Sequence, residues 1–372
     1  MTRKIGPRAK RIMSGFLAAG FYMVLSLGAK AAGNGSTVLD FLSIPVGPRQ
    51  MAMGGSGVAI ADDLYGANIN PAALGRLWRQ EFSLLHTRWL TDVNYQYLGY
   101  AYPTSGKGVF SGSLYQLNYG DIPGYDGNGA SIGTLRAQDR MAQFSYGTAI
   151  ADRLWVGANA KYIQEKLYTK SASAAAGDVG ILYHPTPKYG LPDSSIGLSL
   201  RNFGTQLKFV EEAADLPRTV QGGIAIRPFY EGLTLSSDFT KELSAKLSAQ
   251  VGIEYMAKNV AAFRVGYNSA YDLGSGLSFG VGIRAWDMQI DYAFAVLSTL
   301  GAAHHFGLTF RFGSLAEQHY ERGMKALRQN DYARGIIEFG RVLSIDPQNR
   351  RALMRLKEAN DALQSQVKKL KR

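Results

Sequence analysis

GLSFGVGIRAWDMQIDYAFAV, residues 276–296, is the stretch that decides the fold. Every second residue from Leu277 to Ile283 is apolar, with serine or glycine between, and Arg284 follows in the polar register. The same period of two runs from Met288 to Phe294. Successive side chains of a β-strand point to opposite faces, so the two pieces predict two strands, each with one apolar and one polar face.

Similar pieces of about ten residues fill the chain from Arg79 to Phe312. Period-two alternation bounded by turn residues predicts strands. Fourteen are expected: 80–88, 93–103, 107–118, 140–149, 153–165, 174–184, 194–203, 217–226, 232–240, 247–256, 259–268, 276–286, 287–296 and 304–312. An even number of strands places both ends of a barrel on the same side of a membrane.

The links between these pieces alternate in length. Links from odd to even strands include the long stretches 119–139, 204–216, 269–275 and 297–303, whereas several even-to-odd links are three residues or fewer. Long loops on one side and tight turns on the other are typical of bacterial outer-membrane barrels. The even-to-odd link 185–193 is longer than this pattern predicts.

Alternation alone fits either a soluble β-sandwich or a membrane barrel. A membrane barrel places apolar side chains against lipid and polar ones in its lumen. Aromatic residues near strand ends favour the barrel, because they predict interfacial girdles; they are Tyr95, Tyr97, Tyr100, Tyr102, Tyr292, Phe294, Phe310 and Phe312. The predicted fold is therefore an all-β transmembrane antiparallel β-barrel of about 14 strands. Expected lumen residues are Lys161, Glu254, Arg264, Arg284 and Asp291.

Residues 1–31 have the pattern of a secretory signal peptide. A basic start precedes an apolar run from Ile12 to Leu27, and Ala29-Lys30-Ala31 fits a cleavage site. The alternative is a membrane anchor, since the apolar run approaches spanning length. The remaining chain looks exported, which favours a signal peptide cleaved after Ala31.

The net charge of +12 is confined to the two ends of the chain. The predicted signal peptide has six Lys or Arg and no acids, and residues 314–372 have 13 against 7. Residues 32–313 are left with 22 basic and 22 acidic side chains, so the high isoelectric point does not predict nucleic-acid binding. The absence of cysteine excludes disulfides and thiolate metal sites.

Residues 314–372 change to helical spacing and resemble a tetratricopeptide repeat, a helical motif of 34 residues. The positions that carry the resemblance are Gly323, Ala326, Tyr332, Phe339 and Pro347, whereas Gly335 and Val342 replace the usual alanines. One repeat and a third helix, 348–366, are fewer than the roughly three repeats needed for independent stability. This tail is expected to dock on the barrel rim, a second copy or a partner.

Catalytic and metal-binding patterns are weak. Met53-Gly54-Gly55-Ser56-Gly57 lacks the lysine and the spacing of a phosphate loop, and Asp62-Asp63 lacks the spacing of a calcium loop. His304 and His305 are adjacent on a strand and face opposite sides, so they do not predict a shared ion. We expect no enzyme activity, no cofactor and no metal. Asp62 or Asp63 is expected to cap the turn after them, and Asn70 the turn that starts at Pro71.

The run VGPRQMAMGGSGVAIADDLYGANINPAALGRL, residues 46–77, resembles the N-terminal signature of the PorV/PorQ family of FadL-like outer-membrane proteins. Ala73 stands where that family usually has glycine, and Asn68-Ile69 where it usually has Tyr-Trp. The resemblance implies a 14-strand barrel, residues 79–313, filled by an N-terminal plug, residues 32–78. The signature positions are Arg49, Met53, Gly54, Gly55, Asp62, Asp63, Asn70, Pro71 and Ala72. Asp62 and Asp63 are expected to pair with lumen arginine or lysine.

The resemblance implies two alternative functions. FadL-like proteins pass fatty acids or other hydrophobic compounds through the plugged barrel and a lateral opening. Strand glycines would either kink such an opening or relieve crowding in the lumen; they are Gly99, Gly157, Gly222, Gly252, Gly280 and Gly282. PorV-like relatives instead serve type IX protein secretion or envelope assembly, with the tail, residues 314–372, binding a periplasmic partner. Both place the barrel in the lipid of the bacterial outer membrane.

Overall fold

The computed structural model describes residues 39–89, 92–104, 108–151, 153–185, 192–209, 212–228, 232–243, 245–271, 274–298, 301–347 and 349–370, so the predicted signal peptide lies outside the described residues. Short helical elements come first: a 3-10 helix at Asp40–Ser43, an α-helix α1 at Pro48–Ala52, and 3-10 helices at Tyr65–Asn68 and Pro71–Arg76. Sixteen described strands follow: β1 Arg79–Arg88, β2 Asn94–Pro103, β3 Val109–Tyr125, β4 Ser131–Ala151, β5 Leu154–Leu167, β6 Lys170–Tyr183, β7 Asp193–Gly204, β8 Leu207–Phe209, β9 Glu212–Ala214, β10 Thr219–Arg227, β11 Leu233–Glu242, β12 Leu247–Ala257, β13 Ala261–Asn268, β14 Leu277–Ala285, β15 Met288–Ser298 and β16 Gly301–Ser314.

Fourteen of these strands form a closed antiparallel barrel, as predicted. Each strand pairs with its neighbour in the chain, β7 pairs with β10, and β1 pairs with β16 to close the cylinder. The strands β8 and β9 form a separate small hairpin. We call the end of the barrel that carries the start of β1, the end of β16 and the β14–β15 link the turn end, and the opposite end the ribbon end.

The predicted long loops 119–139 and 204–216 were wrong in part. Residues 119–125 and 131–139 extend β3 and β4 as a ribbon, in which Asp121 pairs with Arg136. Both faces of the ribbon are largely exposed, so its sequence lacks the one-sided apolar period, and pairing between the two strands holds it instead. The second stretch contains the β8–β9 hairpin, with Leu207 and Leu216 buried in the barrel.

The polarity of the wall is that of a membrane barrel and not of a sandwich. On β13, Phe263 and Val265 are 54% and 45% exposed on the outer face, while Arg264 between them is 2% exposed. Most large exposed apolar side chains lie on strands and share this outward register. Apolar side chains outside and charged side chains inside match a lipid-facing wall around a polar interior.

The predicted aromatic girdle is correct for some residues and wrong for others. Tyr102 and Phe312 are 44% exposed on the outer face near the turn end, and Trp286 in the β14–β15 turn is 94% exposed. Tyr95 and Tyr97, however, are only 1% and 3% exposed because they face the lumen. Successive residues of a strand alternate between the lumen and the lipid, and the sequence of an aromatic-rich strand does not show which of its two faces meets lipid.

Three helices follow β16 directly: α2 Leu315–Arg328, α3 Tyr332–Ile345 and α4 Arg350–Leu370. α2 packs against α3, α3 packs against α4, and α2 also touches β16. Their core is built around Tyr320 and Phe339, whose rings meet edge to face at 5.6 Å. No helix among the described residues is long and apolar enough to cross a membrane.

Candidate functional site

Residues 39–78, which we call the plug, lie inside the barrel. The α1 helix contacts strands β13 to β16, and the 3-10 helix Pro71–Arg76 contacts strands β3 to β6. The plug therefore crosses the lumen from one wall to the other. Met51, Met53, Ile60 and Leu74 are fully buried there.

Glycines on the inner wall let the plug backbone lie directly against the strands. A Cβ on Gly157 would collide with Pro71, one on Gly197 with the carbonyl of Val58, and one on Gly266 with the nitrogen of Gly54. Of the strand glycines that the sequence singled out, Gly157, Gly252 and Gly280 face the plug in this way. Their small size relieves crowding in the lumen, as the second of the two interpretations predicted.

Arg49 joins the plug to the barrel wall. Its Nε and Nη2 donate to the two carboxylate oxygens of Glu254 at 2.8 and 2.7 Å, and its Nη1 donates to Asp62 at 2.5 Å. Arg264 continues the chain, with bonds to Glu254 at 2.7 Å and to Asp291 at 2.6 Å. Bidentate arginine–carboxylate pairs are strong and fix orientation, so this network sets the position of α1.

The Asp62-Asp63 pair was predicted to bind arginine or lysine of the lumen wall, and this was wrong in part. The bridge partner of Asp62 is Arg49 of the plug itself. Asp63 accepts hydrogen bonds from the Gln50 amide at 3.1 Å and from the Gly66 N–H at 2.7 Å, so Asp63 caps the turn after it, as predicted. The sequence alone did not indicate that Arg49 of α1 contacts Asp62, 13 residues later in the plug.

The two aspartates differ in protonation behaviour. Burial alone would raise the pKa of Asp62, but the positive charges of Arg49, Arg76 and Arg227 outweigh burial and hold that pKa well below its usual range. Burial raises the pKa of Asp63, against the opposing charge of Arg49. Asp62 is therefore the ionised partner of Arg49, and Asp63 acts as a hydrogen-bond acceptor.

Asn70 is the hub of the Asn-Pro-Ala turn. Its Oδ1 accepts from the Ala72 N–H at 3.1 Å, which confirms the predicted cap. Its Nδ2 donates to the carbonyls of Val58 at 2.8 Å and of Ile181, on the wall strand β6, at 3.1 Å. Pro71 fills the first position of the 3-10 helix. The turn thus fastens the second half of the plug to β6.

Sequence reasoning missed two further fastening points. Asp238 on β11 accepts from the backbone N–H groups of Gly57 and Val58 at 2.7 and 2.9 Å. Asn159 on β5 donates to the carbonyl of Ala67 at 2.9 Å. The sequence predicts that these polar residues face inward from their strands, but it does not identify which plug residue each of them contacts.

One sector of the lumen wall carries a large apolar cluster beside its polar side chains. The inner faces of β2 to β5 carry Tyr95, Tyr97, Tyr115, Leu117, Met141 and Ile163, each 3% exposed or less, and β6 adds only alanines to the cluster. Tyr65 of the plug joins this cluster, with its ring 5.2 Å from that of Tyr97. Phe41 and Leu42 at the start of the plug, and Leu207 of the small hairpin, cover the sector.

The turn end of the lumen is rich in arginine, and we call the cavity there the basic cavity. A cavity of about 440 Å³ opens there between the plug and the ends of β10 to β16, and five arginines line it: Arg49, Arg227, Arg264, Arg284 and Arg311. Near its edge, partial burial and the charges of Arg76 and Arg227 lower the pKa of His184 to about 4. The expected lumen residues Glu254, Arg264, Arg284 and Asp291 all face this region.

The two strand histidines face opposite sides, as predicted. His305 is buried in the lumen with its Nδ1 2.9 Å from the Thr87 hydroxyl, and His304 lies on the outer face with its Nδ1 2.9 Å from the Tyr292 hydroxyl. No group of three or more possible metal-ligating side chains occurs within the described ranges.

A family model matches residues 22–217, more than half of the chain; its description is "Uncharacterised protein family (UPF0164)". The chain belongs to the UPF0164 family. A UPF0164 protein of Treponema pallidum (strain Nichols) is 25% identical over 370 residues, which cover 88% of this chain and 85% of that protein. The match that defines UPF0164 membership spans the plug and strands β1 to β9 and ends before β10.

Two solved structures show the same fold as this UPF0164 protein. The CymD monoaromatic hydrocarbon channel superimposes with a TM-score of 0.55 at 13% identity, covering 73% of this chain and 98% of CymD. The Pseudomonas putida toluene transporter TodX gives 0.51 at 13% identity, covering 71% and 96%. At such identities the likeness establishes the barrel architecture. The family match names UPF0164, and the resemblance to the PorV/PorQ family stays a prediction.

The tail of this UPF0164 protein places most of the repeat-like positions in one core. Ala326 and Phe339 are 2% and 0% exposed, and a Cβ on Gly323 would lie 2.7 Å from the Phe339 ring. Tyr332 is half-buried at the start of α3, and Pro347 is exposed just after α3 ends. A buried pair, His319 Nδ1 and Glu338 at 2.5 Å, links α2 to α3.

Proposed function

We propose that this protein is a FadL-like outer-membrane barrel that binds or moves hydrophobic small molecules, of fatty-acid type, through its plugged lumen. The observation that carries the proposal is the apolar sector of β2 to β6. Lumens of water-filled channels are polar, whereas small-molecule sites are lined by apolar and aromatic side chains with a few polar groups. Tyr97, Tyr115 and Met141 belong to a buried apolar and aromatic cluster of the second composition.

The named relatives of the fold support an apolar cargo. Two proteins with the same architecture are described as a monoaromatic hydrocarbon channel and a toluene transporter. Extended to this chain, those descriptions agree with the aromatic inner wall. Lumen transport here is channel-like and needs no enzyme chemistry, cofactor or metal.

In this proposal the plug, with Arg49, Met53, Gly54, Gly55, Asp62, Asp63, Asn70, Pro71 and Ala72 as its signature, is the gate. Residues 1–31 are a signal peptide, the barrel spans residues 79–313 of the outer membrane, and the tail lies in the periplasm. The fastening of the plug by Arg49 and Asn70 supports a closed resting state. Any cargo that crosses must pass this segment.

The test is uptake of labelled oleate and of labelled toluene by a Gram-negative host that lacks its own fatty-acid channel. Expression of the chain is expected to speed uptake of at least one of the two. Met141→Gln, which keeps the side-chain length but makes the apolar sector polar, is expected to reduce that uptake. Flux of glucose serves as the control and is expected to be equal in both proteins. Uptake no faster than in the host without the barrel would overturn the proposal.

A second candidate function is that of an accessory barrel in type IX-like protein secretion or envelope assembly, as the PorV/PorQ resemblance implies. The observation in its favour is the tail, which has a helical core of its own. Its outer surface carries exposed Ile337, Leu353 and Met354. A soluble periplasmic protein could bind this repeat-like surface.

Chemical cross-linking in cells tests the second candidate. The full chain is compared with a chain that ends at Ser314. Secretion or envelope-assembly components that are captured only by the full chain would support this function. Identical captured proteins with and without the tail would count against it.

A further inference from the structure

The basic cavity at the turn end has features that the proposed hydrophobic transport does not use. Its five arginines come from the plug and from four different wall strands, and they converge on a volume of about 440 Å³. The carboxylates on the same cavity are Asp62, Asp63, Asp193 and Glu254. Several guanidinium groups that converge on one volume are a common way for a protein to hold a carboxylate or phosphate.

Two of these guanidinium groups have a nitrogen without a hydrogen-bond partner among the described residues, and a third, that of Arg284, bonds to no carboxylate there. Arg264 is 2% exposed, yet its Nη2 has no hydrogen-bond partner. The Nη1 of Arg227 forms an ion pair with Asp193 at 3.5 Å but makes no hydrogen bond among the described residues. Arg284 donates to the neutral amide oxygen of Gln289 at 2.9 and 3.2 Å.

Unpaired guanidinium groups of this kind need an acceptor. A buried donor without a partner is costly, and the cost is greater for a charged group. Elsewhere in the lumen, buried Lys161 meets Asp178 at 2.7 Å and bonds to Asn202 at 2.9 Å, whereas the Nε of Arg201 also has no hydrogen-bond partner among the described residues. What distinguishes this cavity is that two guanidinium groups with an unpartnered nitrogen, those of Arg227 and Arg264, line the same volume.

We propose that this cavity binds an oxyanion, a carboxylate or phosphate group, held by Arg227, Arg264 and Arg284. The planar guanidinium group presents paired N–H donors that match the two oxygens of such a group. The site lies at the turn end, beyond the plug, so an anion there contacts both the plug and the wall. The oxyanion is either a free ion or the head of an amphiphile that enters the lumen.

The experiment measures anion binding to the purified full-length protein in a nonionic detergent by calorimetry at constant ionic strength. The probes are inorganic phosphate, acetate and octanoate. Arg227→Gln removes a guanidinium group whose ion-pair partner, Asp193, is 3.5 Å away and not hydrogen-bonded to it. Arg284→Gln removes one that donates to the neutral amide of Gln289, so neither change breaks a hydrogen-bonded ion pair. Arg136→Gln is the matched control, because Arg136 is exposed on the ribbon at the opposite end.

The wild type is expected to bind at least one probe, and each cavity variant is expected to bind that probe about tenfold more weakly, since a charge-assisted hydrogen bond is lost. Arg136→Gln is expected to match the wild type. Phosphate or acetate binding identifies a free anion as sufficient. Octanoate that binds more tightly than acetate and is displaced by phosphate identifies the head of an amphiphile.

Two results would overturn the oxyanion site. One is that none of the three probes binds the wild type, which would leave a solvent-filled cavity only. The other is that the two cavity variants bind as tightly as the wild type. Should either glutamine variant fail to fold, Arg227→Lys and Arg284→Lys replace it, because they keep the charge and lose the paired donors. The phosphate measurement needs no apolar cargo, so its outcome is separate from that of the uptake assay.

Discussion

Gly266 shows how a single residue sets the fit between plug and wall. It lies on β13 with the backbone of Met53 and Gly54 pressed against it. We expect Gly266→Ala to lower the unfolding temperature, because a Cβ would collide with backbone that cannot rotate away; overpacking of this kind costs about 1–3 kcal/mol. The measurement is the temperature at which the purified barrel loses its compact mobility on a denaturing gel.

Gly112→Ala is the control for this substitution. Gly112 lies on the outer face of β3, and a Cβ there would have nothing within 4 Å. We expect it to unfold at the wild-type temperature or slightly above, since alanine reduces the freedom of the unfolded chain. Equal unfolding temperatures for the two variants would contradict the close approach of the plug to β13.

Arg49 is the second position where one side chain decides the seating of the plug. We expect Arg49→Met to destabilise the protein by about 1–3 kcal/mol, because Oε1 of buried Glu254 loses its arginine donor while Oε2 keeps its bond to Arg264. Glu254 is 4% exposed on its side chain, whereas the other partner, Asp62, is 39% exposed and contributes less. The free energy of unfolding in denaturant measures the loss.

The control for Arg49 is the ion pair between Arg136 and Asp121 on the ribbon, where the two side chains are 79% and 69% exposed. Arg136→Met is expected to change stability by about 0–1 kcal/mol, since exposed pairs contribute little. Limited proteolysis adds a second measurement, because a loosened plug is cleaved faster in Arg49→Met. A loss no larger than that of the control would mean that the Arg49–Glu254 pair does not hold the plug.

At the scale of elements, the tail has its own core, and Phe339 is its centre. We expect Phe339→Ala to cost about 3–5 kcal/mol locally, which exceeds what one repeat and a third helix can lose and still fold. The helical signal in circular dichroism is therefore expected to fall while the barrel keeps its unfolding temperature. Ile337→Ala, at a side chain that is 56% exposed, is the control and should change neither.

The result that would contradict this independence is a loss of both the helical signal of the tail and the stability of the barrel. If Phe339→Ala lowered the unfolding temperature of the barrel as well, then the tail and β16 would unfold as one unit. The main contact of α2 with the barrel is made through β16. A helical signal equal to that of the wild type would show instead that the Phe339 core is not what holds the tail.

The strands of the barrel were predictable because one face of each strand meets lipid and the other meets the polar interior, which gives the sequence a period of two. All fourteen barrel strands were predicted. Their predicted bounds agree with the structure to within a few residues wherever one face of the strand is apolar, as in β13 and β14. The ribbon of β3 and β4 was missed because both of its faces meet water. The small hairpin β8–β9 was missed because three-residue strands are too short to show a period.

The contacts of the plug were only partly predictable. A local pattern such as Asn70-Pro71-Ala72 specifies its own cap, since donor and acceptor are two residues apart. The bonds of Arg49 to Glu254 and of Val58 to Asp238 join residues about 200 and 180 positions apart, and a single sequence has no signal for such pairs. Family resemblance gave the location of the plug, and the structure gave its partners.

At the scale of the whole molecule, the even number of strands fixes which parts share a side of the membrane. β1 begins and β16 ends at the turn end, and α2 starts at Leu315 without an intervening loop. The tail, the basic cavity and Trp286 therefore lie on one side. The ribbon of β3 and β4 projects from the other side. Short turns face the periplasm in barrels of this class, which predicts a periplasmic tail and an extracellular ribbon.

Single cysteines test this orientation, and the chain has no native cysteine to interfere. Asn128→Cys lies in the turn at the tip of the ribbon, and Trp286→Cys replaces a side chain that is 94% exposed at the turn end. A membrane-impermeant maleimide is expected to label Asn128→Cys in intact cells. It is expected to label Trp286→Cys only after the outer membrane is permeabilised.

Ser365→Cys on α4 extends the test to the tail, and it is expected to behave like Trp286→Cys because the tail leaves β16 at the same end. Labelling in the opposite order would place the tail and the basic cavity outside the cell. The tail could then bind no periplasmic partner, and the basic cavity would open to the extracellular medium. Labelling of Ser365→Cys and Asn128→Cys together in intact cells would contradict the even-stranded closure that puts them on opposite sides.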